Sequence, residues 1–256
     1  MPHKKATDRR VVFVTGASYG IGAATALALA NDGYDLAVAA TRLDNLWGTV
    51  EKLQAAGARV APVALDLCAQ ASIEKAVAAV MTALGRIDVL VNNAGMTTRQ
   101  PAVDITRREW EAVMRTNVDG TFFMCQQMGR HLIATGRPGC IINMASAHAF
   151  VGFAQRAAYG VSKAAIVHMT KMLAIEWAEH GIRVNAVAPG RVTSGSPMRA
   201  ATARDGKYIA TVHARIPLKR SATSEEVAAA VCYLASPAAA YITGHTLLLD
   251  GGLTAQ

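Results

Sequence analysis

Tyr159 and Lys163 stand four positions apart, and Ile166, Thr170, Leu173 and Trp177 continue the stretch at three-and-four spacing. An i,i+4 pair on a helix shares one face, so the ammonium can act on the surroundings of the phenol. A free phenol ionises near pH ~10, too high to trade protons readily at neutrality, and a neighbouring cation favours its phenolate. The chemistry open to this pair is donation and removal of a proton. A second constellation, Thr15-Gly16-Ala17-Ser18-Tyr19-Gly20-Ile21-Gly22, follows the first apolar run and opens an Ala- and Leu-rich stretch reaching Ala30. Gly16 permits a tight turn, Gly20 lets backbone approach a pyrophosphate, and Gly22 allows close packing of helix on strand. The helix start then aims N–H groups at negative charge. Three glycines so placed after a strand point to a dinucleotide site.

The elements that must hold these groups are legible as alternating patterns. Short apolar runs recur at 11–14, 36–40, 60–65, 89–91, 140–144, 184–187 and 246–249, each fitting a strand buried on both faces. Between them lie helical stripes: Leu43, Leu46, Val50 and Leu53; Ile73, Val77, Val80 and Leu84; Ile166 to Trp177; and Val227, Val231 and Leu234. Strand alternating with helix demands right-handed crossovers, which give an α/β fold. The expectation is a single-domain, doubly wound Rossmann fold with about seven parallel strands and helices on both faces. Residues 1–9, with Lys4, Lys5 and Arg9, read as a flexible basic tail, and 10–256 as one dinucleotide-binding and catalytic domain. Residues 191–215 are rich in Ser, Thr, Ala, Arg and Gly, with a modest helical signal around 199–214, and read as a substrate lid.

With Asn92-Asn93-Ala94-Gly95 after the fourth strand and Tyr159-Gly160-Val161-Ser162-Lys163 on a later helix, the chain resembles the short-chain dehydrogenase/reductase family. The resemblance runs over residues 10–252 and includes Asp66-Leu67, Asn117, Ser146, Pro189-Gly190 and Asp250-Gly251-Gly252, in order. It is nearest in pattern to 3-oxoacyl-acyl-carrier-protein reductases and sugar or polyol dehydrogenases. It implies hydride transfer between a nicotinamide and a small-molecule carbonyl or secondary alcohol. The implied catalytic set is Asn117, Ser146, Tyr159 and Lys163. Tyr159 protonates the carbonyl oxygen, Ser146 hydrogen-bonds it, Lys163 holds ribose hydroxyls, and Asn117 supports a water-mediated proton path. Ala145 stands where relatives often carry another serine, which leaves the catalytic serine in place. The family also implies a homotetramer, with a dimer second.

The resemblance places Asp66 and Leu67 by the adenine and Asn93, Ala94 and Gly95 on the adenosine side. It sets Pro189 and Gly190 beside the nicotinamide, and Val192 and Thr193 at its carboxamide. Ser18, Tyr19 and Ile21 join the glycines as cofactor contacts, and Thr41 and Arg42 end the second strand. No carboxylate appears there until Asp44, and the planar guanidinium of Arg42 can pair with a phosphate, so NADP(H) is favoured and NAD(H) is the alternative. Tyr19 pulls the other way, because many NADP-dependent relatives carry Arg or Lys at that position. His148, Phe150 and Gln155 are expected to shape the substrate pocket.

Composition excludes other classes. With 52% hydrophobic and 17% charged residues the chain is a compact globular one rather than disordered. Its net charge of +8 is scattered, with no basic face or motif for nucleic acid, and is compatible with an anionic cofactor. No apolar run reaches the ~18 residues of a membrane span, so no membrane partner is expected. Four cysteines without a CxxC pair, and no secretory signal, lead to reduced thiols and a cytoplasmic home. Seven histidines without metal-ligand spacing lead to no metal. The competing reading is a regulatory protein that binds NADPH without turnover, which the complete set of four site residues argues against.

Overall fold

The computed structural model describes residues 9–193 and 206–255. The seven apolar runs are seven strands of one parallel sheet: β1 (Val11–Thr15), β2 (Asp35–Ala40), β3 (Val60–Ala64), β4 (Val89–Asn92), β5 (Gly139–Met144), β6 (Ile182–Pro189) and a last strand, Thr246–Leu249. Their spatial order is β3, β2, β1, β4, β5, β6 and the last strand. The connecting helices are α1 (Gly20–Asn31), α2 (Trp47–Ala55), α3 (Gln70–Leu84), α4 (Arg107–Met114), α5 (Gly120–Thr135) and α6 (Ala157–Trp177), with Ser224–Ala235 preceding the last strand. The chain winds outward from β1 to β3 and then returns to β4 on the other side. The carboxyl ends of β1 and β4 are therefore a topological switch point, where open α/β sheets bind ligands.

Two-sided burial explains why the strands read as unbroken apolar runs. Val12 and Val14 enter one layer with Leu29, Val227 and Val231. Val11 and Phe13 enter the other with Ile73, Val80, Leu132 and Trp177. The polar alternation is thus absent from the strands and reappears as stripes on the helices, as in α3, where Ile73, Ala76, Val80 and Leu84 are buried. Only at the edge does burial alternate: β3 pairs with β2 alone and accommodates Pro62, whose missing donor costs least at an edge.

Three local features depart from the expected boundaries. Leu43–Leu46 is a 3-10 turn, so the second helix starts at Trp47; Asp44 and Asn45 favour turns over helix interiors. Val192–Thr193 pairs with Ala222–Thr223 in a ladder too short for any periodic signal. In the expected lid, residues 194–205 lie outside the described residues, and Gly206–Ala214 is helical. Residues 1–8 of the expected tail also lie outside them, while Arg9 donates to the Gly57 carbonyl at 2.7 Å and lies 3.9 Å from Asp35. Among the described residues no helix is long and apolar enough to cross a membrane.

Candidate active site

At the switch point the loops after β1 to β4, with Met144 and the start of α6, line a cleft of about 490 Å³. Gly16, Ser18, Tyr19, Gly20, Ile21 and Gly22 line it, as do Thr41, Asp66, Leu67, Asn93, Ala94, Gly95, Tyr159 and Lys163. Gly16 and Gly20 have φ of 66° and 60°, a region that favours glycine. A Cβ on Gly16 would stand 2.8 Å from Ala94 Cα, and one on Gly22 would overlap the Gly16 carbonyl. The turn is clamped from β4. Asn93 donates through Nδ2 to the Thr15 and Gly16 carbonyls at 3.1 and 2.9 Å, and the Asn93 and Ala94 backbone N–H groups donate to Thr15 Oγ1. Asn93 therefore shapes the cleft by holding its turn. The first turn of α1 carries no acidic residue.

Lys163 is only 5% exposed, yet it carries an ammonium. Its Nζ donates to the Met144 carbonyl at the end of β5, at 2.7 Å, and lies 5.7 Å from the centroid of the Tyr159 ring. Burial without a carboxylate partner pushes its pKa down from 10.5 to about 8. Gly95 is close by: a Cβ there would be 3.0 Å from Asn117 Oδ1 and 3.6 Å from Lys163 Nζ. Asn117 is fully buried in a π-helical turn, Arg115–Asp119, between α4 and α5. Its Oδ1 accepts from Met96 N at 2.8 Å, and its Nδ2 donates to the Met96 carbonyl and to Ser162 Oγ, each at 2.9 Å. Ser162 Oγ in turn donates to the Tyr159 carbonyl at 2.7 Å. The side chain of Asn117 thereby ties the loop after β4 to the helix bearing Tyr159. Such π-turns recur at functional sites.

Ser146 follows β5 and caps the short turn Ala147–Ala149, its Oγ accepting from His148 N and lying 3.1 Å from His148 Nδ1. It also donates to the Pro189 carbonyl at 3.5 Å. The His148 ring meets the Tyr159 ring edge-on, centroids 5.5 Å apart. His148 and Phe150 line a separate pocket of about 340 Å³, and Gln155 lines neither pocket. Gln155 has a positive φ of 64°, and its Oε1 accepts from Arg99 Nε at 2.9 Å.

Arg42, Pro189, Gly190, Val192 and Thr193 are not among the cleft's lining residues. Arg42 projects into solvent beside Thr41, its guanidinium 3.3 Å from Asp44, both side chains 74% exposed. Gly190 packs against Asp250, where a Cβ would be 2.9 Å from Cα. Sequence reasoning missed Asn45, Cys68, Met96, Thr97 and Thr116, which also line the cleft. Asn45, Cys68, Met96 and Thr97 lie within a few residues of a strand's carboxyl end, the one signal that marks them in advance.

A family model described as Enoyl-(Acyl carrier protein) reductase matches residues 16–254. Glucose 1-dehydrogenase of Gluconobacter oxydans is 38% identical over 254 residues, covering 99% of this chain and 95% of that protein. A short-chain type dehydrogenase/reductase from Mycobacterium marinum superposes with a TM-score of 0.92 at 35% identity, over 96% of each chain. An Agrobacterium tumefaciens protein named for 2-deoxy-D-gluconate 3-dehydrogenase, crystallised with bound NADP, gives 0.88 at 33% identity, over 99% of this chain and 100% of that one. Motif order, fold and switch-point cleft agree with these likenesses: the chain belongs to the short-chain dehydrogenase/reductase family and is an oxidoreductase of the alcohol/ketone kind.

Proposed function

We propose that the protein interconverts a secondary alcohol and a ketone on a polyhydroxylated small molecule, a sugar, polyol or sugar acid, with NADP(H) as cofactor and Tyr159 as general acid and base. The observation that carries this reading is that Tyr159 and Lys163 line the same cleft as the glycine turn. The cleft suits a dinucleotide: the turn that lines it holds positive φ at Gly16 and Gly20, and α1 starts there with no acidic side chain in its first turn. When bound, the nicotinamide supplies or accepts the hydride.

The residues of the chain do the rest. In reduction Ser146 Oγ donates to the carbonyl oxygen as negative charge gathers there, and Tyr159 gives that oxygen its phenolic proton. In oxidation the phenolate takes the proton back. Lys163, fixed by the Met144 carbonyl, keeps a cation beside the phenol and presents its remaining N–H groups to the ribose hydroxyls. Asn117 sets the register between Gly95 and α6. Arg42 beside the lining residue Thr41, and the NADP in the Agrobacterium relative, support NADP(H) over NAD(H). Phe122 and Ile133 on α5, with Val161, Met172 and Ile175 on α6, are exposed apolar residues that support a homotetramer. Light scattering on the eluting protein tests this, and a monomer refutes it.

The test of function is titration with NADPH and NADH by nucleotide fluorescence. Turnover is then measured on D-glucose, D-gluconate, sorbitol and acetoacetyl-CoA, with Tyr159→Phe as control. Tighter NADPH binding and Tyr159-dependent turnover of a sugar or sugar alcohol are expected. Binding of neither nucleotide, or turnover indifferent to Tyr159, overturns the reading.

A further inference from the structure

Ser146 has a polar neighbour beyond the set of four. His148 Nδ1 lies 3.1 Å from Ser146 Oγ, and the His148 backbone N–H donates to the same oxygen at 3.3 Å. The imidazole is held in place: its centroid is 4.4 Å from Phe153 at 32° and 5.5 Å from Tyr159 at 75°. A serine hydroxyl owns one proton and two lone pairs. The backbone N–H occupies one lone pair. If the serine proton went to Nδ1, the hydroxyl would have none to offer a substrate oxygen. If Nδ1 carries its own proton, that N–H fills the second lone pair, and the serine proton is left with the Pro189 carbonyl at 3.5 Å. That distance is well beyond the usual range for an O–H donor, so a substrate oxygen displaces it readily.

We propose that His148 is a positioning residue: as an Nδ1–H donor it saturates the acceptor capacity of Ser146 and turns the serine proton toward the substrate oxygen. The role deepens the reading of Ser146 given above and rests on it. The imidazole transfers no proton and acts only through the hydroxyl.

Two readouts test it. The first is the long-range proton–nitrogen spectrum of the cofactor-free protein, with the His148 signals identified by their loss in His148→Gln. A protonated Nδ1 is expected, and an unprotonated Nδ1 overturns the proposal whether or not the substrate panel gives turnover. The second is kinetic, with the fastest substrate of that panel at saturating cofactor. His148→Ala is expected to lower kcat about tenfold, the weight of one hydrogen bond, with KM little changed. His148→Asn, whose amide N–H can stand where Nδ1–H stood, is expected to recover to within about threefold of wild type. In a Ser146→Ala background the loss from His148→Ala should shrink below about twofold, because no hydroxyl remains to orient. Additive losses, or no recovery in His148→Asn, overturn the role of His148 while Tyr159-dependent turnover stands. Loss of that dependence on Tyr159 would strike the proposed function itself.

Discussion

The two ends of the parallel sheet treat buried charge in opposite ways. At the amino end, Asp35 is fully buried and accepts from the backbone N–H and the Nε of Arg59, at 3.0 and 2.7 Å. Asp88, 4% exposed, accepts from Val11 N and is gripped by Arg86 through two nitrogens. Each carboxylate has both a cation and a backbone donor. At the carboxyl end, Lys163 is as deeply buried and has a carbonyl but, among the described residues, no anion. On the same side Gln155 holds a positive φ without being glycine, whereas the positive φ values in the turns before β2 to β6, at Gly33, Gly57, Gly85, Gly136 and Gly181, all fall on glycine. The two carboxylates of the amino end are thus paired within the chain, whereas the buried ammonium of the carboxyl end is left facing a cleft without an anion among the described residues.

Substitutions at the two ends should therefore separate activity from stability. The largest expected effect is at the carboxyl end: Tyr159→Phe should lower kcat by about 10²–10⁴-fold, the usual worth of a general acid/base, with an unchanged melting curve. Steady-state kinetics and thermal unfolding on the same preparation decide this, and a destabilised Tyr159→Phe would blur the contrast. At the amino end the reverse is expected. Asp88→Ala strips Val11 N and Arg86 of their acceptor and should cost about 3 kcal/mol in urea unfolding, while kcat of the folded protein stays within about twofold. A large fall in kcat there would mean that the two ends are not separable.

What was legible beforehand follows the same division. The strands could be read because burial on both faces leaves runs such as Val11-Val12-Phe13-Val14 uninterrupted, and the glycine turn because its backbone demands are specific to one residue type. Tyr159 and Lys163 were legible through the motif that carries the family resemblance, with which their helical spacing agrees. The π-turn that buries Asn117 was not, since a shift of hydrogen bonding by one residue leaves no pattern in residue types. Nor was the use of the Asn117 side chain to grip Met96, or of Gln155 to receive Arg99, because both contacts join segments far apart in sequence. The 3-10 turn that brings Asp44 to Arg42 could have been suspected from Asp44-Asn45, yet the pairing itself is a matter of rotamers.

Lys163 gives a sharper version of the contrast. Its folded pKa of about 8 lies below the 10.5 of the exposed group, so between those values the unfolded chain holds more protons than the native one. Stability contributed by this site therefore rises with pH across that window, and the penalty is full below about 8. Lys163→Met should stabilise the cofactor-free protein by about 2 kcal/mol at pH ~7 while abolishing turnover. The advantage over wild type should fade as pH climbs through about 10.5, above which wild-type Lys163 is neutral in both states. Unfolding curves of the two proteins across that range check the sign. A methionine variant less stable than wild type at neutrality would show that the Met144 hydrogen bond outweighs the cost of burying the charge.

The smallest expected effect lies where the carboxyl end meets solvent. Arg42 and Asp44 form a pair like those of the amino end in composition but unlike them in setting, since both side chains are 74% exposed and the partners can exchange. Such pairs contribute little to stability, so an adenosine 2′-phosphate arriving beside Thr41 has only a weak internal competitor to displace from Arg42. Asp44→Asn removes that competitor together with a repelling charge, and should tighten NADPH binding about twofold to fivefold while NADH binding changes less. Arg42→Ala should act in the opposite direction on NADPH alone. Both differences should shrink as salt is raised, because the interaction is solvent-screened. Fluorescence titration of the two nucleotides against each variant, at low and high salt, measures all three. Equal tightening of NADPH and NADH in Asp44→Asn would mean that Asp44 acts as a general repellent rather than through Arg42, and would remove the structural argument for NADP(H) selection at this end of the cleft.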